Sequence, residues 1–238
     1  MVQDFRNMTQ TPVSVESTQV KENAFITRVY GWMCAALAIT GFVAFYVAGT
    51  PALANKIATT PGLLFGLIII ELVAVGALVM LVNKMSAAMA TLVFIAYSAL
   101  NGVTLSMIFL IYTPASVASA FFITSATFAA MSCYGWYTKR DLTAIGSLCF
   151  MALLGLIIAS IVNMFLHSTG LYWIISYVGV LIFVGLIAYD TQKIKAMSRN
   201  IYVNSDSGKK TALLGALALY LDFINLFIMM LRIFGNRR

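Results

Sequence analysis

Seven runs of mostly apolar residues divide this chain, at about 25–48, 62–82, 86–111, 115–137, 142–166, 171–191 and 211–234. Each is as long as one helix must be to cross the hydrocarbon core of a bilayer. Lipid offers the backbone no hydrogen-bond partners, so a segment of this kind closes its own amide ladder, and a helix does that within one run. Composition agrees: 61% of the 238 residues are hydrophobic and 10% are charged, against about 25% charged in a typical soluble domain. The expected fold is an all-α membrane protein, a bundle of seven transmembrane helices over residues 24–238. Residues 1–23 are polar and without apolar periodicity, and are expected to form a flexible cytoplasmic tail. The first run is expected to be a full span rather than a cleaved leader, since no small-residue cleavage site follows it. Gly49, Pro51 and Pro61 bracket a short loop after it.

Basic residues set the expected orientation. Arg6, Lys21, Arg28, Lys84, Lys139, Arg140, Lys193, Lys195, Arg199, Lys209 and Lys210 fall on one side of the seven runs, and Lys56 on the other. By the positive-inside rule the N-terminus is cytoplasmic. Arg232, Arg237 and Arg238 lie opposite if the last run crosses fully, and on the same side if it is broken or re-entrant; both readings stay open. The net charge of +7 is then a property of loops, and no nucleic-acid partner is expected. Cys34, Cys133 and Cys149 lie inside apolar runs without ligand spacing, and His167 stands alone at the end of one. Neither a disulfide nor a metal-ligand set follows, and no cofactor is expected.

Three acids, Glu71, Asp190 and Asp222, lie in or at the edge of apolar runs, where a carboxylate is costly and commonly marks an ion or proton path. The plain alternative is that each bonds a base or hydroxyl and specifies helix packing. No Lys or Arg lies in the central part of any run. Helical spacing places Gly215, Ala218, Asp222, Asn225 and Met229 on one stripe of the last helix, and Asp190 on a face with Phe183, Leu186 and Ile187. If the last helix begins near Thr211, Asp222 lies about 16 Å along it. Asp190 reaches that depth only if the sixth helix continues to about Met197. Two carboxyl groups that meet share a proton and titrate in two coupled steps. Ionised, they offer hard oxygens to Ca²⁺, with Asn225, carbonyls and water completing the shell. Lys84, at the end of the second run, is a candidate latch over the pair. Glu71 is a proton-relay member, a partner of Asn101 across the second and third spans, or a neutral acid facing the bundle.

Leu219-Tyr220-Leu221-Asp222-Phe223-Ile224-Asn225-Leu226-Phe227, with Leu231-Arg232 beyond it, resembles the C-terminal signature of the transmembrane BAX inhibitor motif (Bax inhibitor-1) family. Tyr189-Asp190-Thr191-Gln192-Lys193-Ile194 resembles the companion motif, and Asn101-Gly102-Val103-Thr104-Leu105 is similar to the family pattern in the third span. The resemblance spans residues 25 to 235. It implies a seven-helix fold with the last helix central, and a pH-sensitive calcium leak gated by Asp190 and Asp222, the metal here being the transported ion. It also implies a basic latch at the end of the second span, where this chain has Lys84 in place of arginine. Bacterial relatives are thought to bind and modulate a membrane-anchored AAA protease. The implied location is the bacterial inner membrane, with the lipid bilayer as the first partner.

Three readings follow. The first is a proton-gated calcium leak, with no enzyme activity. The second is an interaction protein whose tail and loops engage the protease. The third is an intramembrane aspartyl protease, because two aspartates on consecutive helices can act as acid and base. Tyr189-Asp190 resembles half of that protease signature, but Leu219 to Leu221 stand where it needs glycines, and Pro51-Ala52-Leu53 lies before the second span.

Overall fold

The computed structural model describes residues 12–199 and 205–237, and among them eight α-helices and no strand. In chain order these are α1 (Pro12–Ala48), α2 (Pro51–Thr59), α3 (Pro61–Leu81), α4 (Ala87–Ile111), α5 (Pro114–Tyr137), α6 (Thr143–Leu166), α7 (Thr169–Ser198) and α8 (Asp206–Phe234). Seven of them, all but α2, are long and apolar enough to cross a membrane. Prolines open α2, α3 and α5, where a missing backbone N–H costs nothing.

The helices depart from the sequence expectation in two places. Residues 12–23, placed in the flexible tail, continue α1. Glu22 there meets Arg199 at the end of α7 at 3.4 Å, giving the extension a tertiary contact. Residues 1–11 of that tail lie outside the described residues. The loop after the first span holds the nine-residue α2, which buries Ala54 and Ile57, one helical turn apart, against the bundle. α7, by contrast, runs past its apolar run to Ser198, the continuation to about Met197 that Asp190 needs to reach the depth of Asp222.

Packing differs sharply between helices. α8 has 72% of its apolar window buried, against 11% for α3 and for α6, and it touches α1, α4, α5 and α7. α1 lies along α4, and the approach is close at Gly102: a Cβ there would come within 2.6 Å of the Thr40 carbonyl oxygen. Tyr220 of α8 is fully buried, its hydroxyl 2.7 Å from Thr40 Oγ1. Its ring meets those of Phe94 and Tyr97 edge to face, at 6.1 and 5.9 Å.

α8 is unbroken over 29 residues. Arg232 and Arg237 therefore emerge at the end of the bundle that carries the α4–α5 and α6–α7 turns, opposite Lys84, Lys139 and Arg140. The other end is tied by side chains. Asp206 accepts from the Ala87 amide at 3.2 Å and pairs with Lys210 at 3.0 Å, while Lys210 donates to the Met85 carbonyl. At the start of α6, Asp141 accepts from the Thr143 amide and hydroxyl at 2.9 and 2.6 Å. Those two bonds hold its carboxyl below the usual carboxylate range. A depressed acid stabilises the folded state above its unfolded pKa and loses that effect as pH falls through the folded value. Asp141→Ala should therefore speed hydrogen exchange at the Thr143 amide near neutral pH, and the difference from wild type should close in acid.

Candidate functional site

The companion motif on α7 is held from three sides. A Cβ on Gly135 of α5 would overlap the Ala188 carbonyl, and a Cβ on Gly146 of α6 would overlap the Tyr189 ring. Only glycine lets α5 and α6 lie this close to α7. Gln192 accepts from the Leu142 amide at 2.9 Å and donates to the Arg140 carbonyl at 2.8 Å, clamping the α5–α6 turn onto α7. Lys195 donates to the Trp136 carbonyl and lies 4.7 Å from that indole ring's centroid. Thr191 donates to Ser132 at 3.4 Å. Backbone approach and side-chain clamps together fix where Asp190 sits.

From that position the Asp190 carboxyl faces the carboxyl of Asp222 on α8, close enough for the two to act on each other directly. Asp222 is 5% exposed, and its Oδ2 is buried with no hydrogen-bond partner among the described residues. Asp190 is half-buried. A cavity of about 300 Å³ opens beside it between α3, α7 and α8, with Val79, Lys193, Ala218 and Leu221 in its wall. The arrangement can hold one proton between two oxygens, or receive a cation when both groups are ionised. Two carboxylates offer about four oxygens, whereas Ca²⁺ takes about six to eight. The pair therefore suits a partly hydrated ion in passage better than a closed cage, and among the described residues no cluster of three His, Cys, Asp or Glu surrounds it.

The other sequence candidates fall elsewhere. Lys84 ends a 3-10 turn, Val82–Lys84, and is exposed, with no hydrogen bond or ion pair among the described residues. The cation acting on Asp190 is Lys193, one turn along the same helix, whose ammonium also lies 5.7 Å from the Tyr189 ring centroid. Asn225 is half-buried and donates to the Leu221 carbonyl of its own helix at 2.8 Å. The expected stripe on α8 splits: Gly215, Asp222 and Met229 are buried, whereas Ala218 and Asn225 are half-buried. Glu71 accepts a 2.6 Å bond from Thr104 rather than from Asn101, which donates instead to the Tyr97 hydroxyl at 3.2 Å. Thr104 lies one turn on from Asn101, so a contact across the second and third spans, one of the three roles left open for Glu71, is made through a different donor. α8 continues as a helix through Leu219 to Leu221, so its backbone is not opened for an extended peptide substrate as the aspartyl protease reading requires.

A bundle of seven apolar helices with a carboxyl pair between its last two spans defines a multi-pass membrane protein. The family described as "Inhibitor of apoptosis-promoting Bax1" matches residues 22–238. The chain belongs to this family, the Bax inhibitor-1 family. It is 51% identical to inner membrane protein YbhL of Escherichia coli over 215 residues, which cover 90% of this chain and 92% of YbhL. It is 42% identical to an uncharacterized protein of Borreliella burgdorferi, covering 94% and 99% of the two chains. An uncharacterized protein of Deinococcus radiodurans is 40% identical, covering 98% and 99%.

Proposed function

We propose that this protein is a pH-sensitive calcium leak of the bacterial inner membrane, with the Asp190–Asp222 pair as its proton sensor and ion contact. The carrying observation is the meeting of two carboxyl groups across α7 and α8, one Asp222 oxygen being buried and unpartnered and a cavity opening beside Asp190. Protons and cations compete for those oxygens, so cation occupancy falls on acidification. Lys193 neutralises part of the site's charge when both acids are ionised. The location rests on the name of YbhL, an inner membrane protein. A cytoplasmic N-terminus follows from the basic residues at the end of the bundle with Lys84, Lys139, Arg140 and Lys209.

The test is calcium entry into dye-loaded liposomes from about pH 6 to 8, the window that a shared-proton pair can bring into reach. Wild type should show a flux that changes with pH, and Asp190→Asn and Asp222→Asn should each flatten that profile. A wild-type profile that does not change with pH would remove the sensor. No flux above empty liposomes at any pH would remove the leak, and modulation of a membrane-anchored AAA protease would become the reading to pursue.

A further inference from the structure

At the far end of the bundle from the Asp206–Lys210 pair, the residues after α8 turn back across the α4–α5 turn. Arg237 forms an antiparallel bridge with Tyr112. The Thr113 amide donates to the Asn236 carbonyl at 3.2 Å, and the Asn236 amide donates to Ser116 Oγ at 2.9 Å. Gly235 makes the turn possible: a Cβ there would overlap the Leu231 carbonyl and come within 2.7 Å of the Tyr112 ring. This fold-back carries the Arg237 guanidinium to α7, where it donates to the Tyr172 hydroxyl at 3.0 Å and lies 5.5 Å from that ring's centroid. Arg232, on the last turn of α8, lies 5.6 Å from the same centroid. Two cations thus share one aromatic ring, no farther apart than the sum of those two distances.

Neither guanidinium has a carboxylate partner among the described residues. The acids whose side chains are described lie within the spans (Glu71, Asp190 and Asp222) or at the opposite end (Glu22, Asp141 and Asp206). Both guanidinium groups reach one ring with no acid beside them, so an anion bound between them is attracted by both charges. A cavity of about 460 Å³ opens at this place, lined by both arginines, Tyr172, His167, Ser168 and Thr169. Its lining, Ile233 and Gly235 apart, carries polar groups, with no carboxylate among the described residues. Beside it, Trp173, Ile174 and Tyr177 are 40%, 60% and 55% exposed, an aromatic and apolar strip on the bilayer side of α7.

We propose that this cavity is a phosphate-binding site, with Arg232 and Arg237 as the two ligating groups. Guanidinium groups match phosphate oxygens in paired hydrogen bonds better than ammonium groups do, and basic pockets between transmembrane helices recognise lipid headgroups. The phosphate is that of a phospholipid headgroup, whose chains lie along the Trp173–Tyr177 strip, or a free phosphate anion from solution.

The experiment follows tryptophan fluorescence of the full chain in maltoside micelles, Trp173 being the reporter beside the cavity. The probes are inorganic phosphate, dioctanoyl phosphatidylglycerol and, as a zwitterionic comparison, dioctanoyl phosphatidylcholine. Saturable binding of the glycerol lipid with weak or absent phosphate binding assigns the site to a headgroup. Equal binding of both assigns it to free phosphate. In either case Arg232→Gln and Arg237→Gln should each weaken binding about tenfold, as loss of one charge-assisted hydrogen bond implies. Gly235→Ala keeps both charges but displaces Arg237, and should weaken binding by a similar factor. Lys56→Gln, a basic residue on the same end in α2, should leave affinity unchanged. Failure of wild type to saturate with either anion would overturn the proposal. So would equal weakening by Lys56→Gln, which reports surface charge alone, or unchanged affinity in Gly235→Ala.

Discussion

Tyr220→Ala should cost about 3 kcal/mol of stability, near the low end for loss of a buried aromatic. The low end applies because helices in a bilayer leave lipid rather than water when they pack, so what is lost is van der Waals contact and a hydrogen bond. Both are concentrated here. The side chain is fully buried, its ring meets Phe94 and Tyr97, and its hydroxyl meets Thr40. Its removal opens a space bordered by α1 and α4 in the interior of the bundle. Tyr220→Phe keeps the ring contacts and loses only the hydrogen bond, at a cost of about 1 kcal/mol, because Thr40 Oγ1 still donates to the Ser98 carbonyl at 2.8 Å. Denaturation of the purified protein in mixed detergent would rank the three chains. A Phe variant as damaged as the Ala variant would mean that the hydroxyl, not the ring, organises this part of the interior.

Gly135→Ala should push α5 and α7 apart and take the aspartate pair with them. The added Cβ overlaps the Ala188 carbonyl, a backbone atom that cannot rotate away. Overpacking of this kind costs about 1–3 kcal/mol. The separation can be measured without reference to ion flux. Thr191 and Ser132 approach to 3.4 Å between hydroxyl oxygens, so Ser132→Cys with Thr191→Cys should form a disulfide readily when Cys34, Cys133 and Cys149 have been replaced. Adding Gly135→Ala should slow that cross-link sharply. An unchanged cross-linking rate would mean that α7 absorbs the Cβ by a local shift, and that the position of Asp190 does not depend on the glycine.

The seven spans were legible because lipid imposes one rule on every residue of a run, and length with apolarity is enough to apply it. The short α2 was not: Gly49, Pro51 and Pro61 signal a break, but a Pro at a helix start and a Pro in a loop look the same until Ala54 and Ile57 find a surface. Periodicity identified faces and left neighbours open. A contact of Glu71 with the third span was one of three roles left open for it, and the choice between Asn101 and Thr104 depends on the relative height of two helices, which no single-helix pattern contains. The latch was assigned to Lys84 from its place at the end of the second span, whereas the cation acting on Asp190 is Lys193, which follows it on the same helix and needs no tertiary contact to reach it. The Gln192 clamp and the fold-back after Gly235 left no periodic trace, since each is made by one or two polar groups meeting a turn.

The burial of α8 has a consequence for how the molecule is made. The six earlier spans leave the ribosome first, while the helix that touches four of the other spans is still to come. Until it arrives, Thr40 and Tyr97 lack Tyr220 beside them, and the half-built protein holds a polar seam open to lipid. Its most vulnerable moment is therefore late in synthesis, when a quality-control protease or an insertion chaperone would find that seam exposed. A defect confined to the last helix would register as degradation of the whole chain rather than as a smaller bundle.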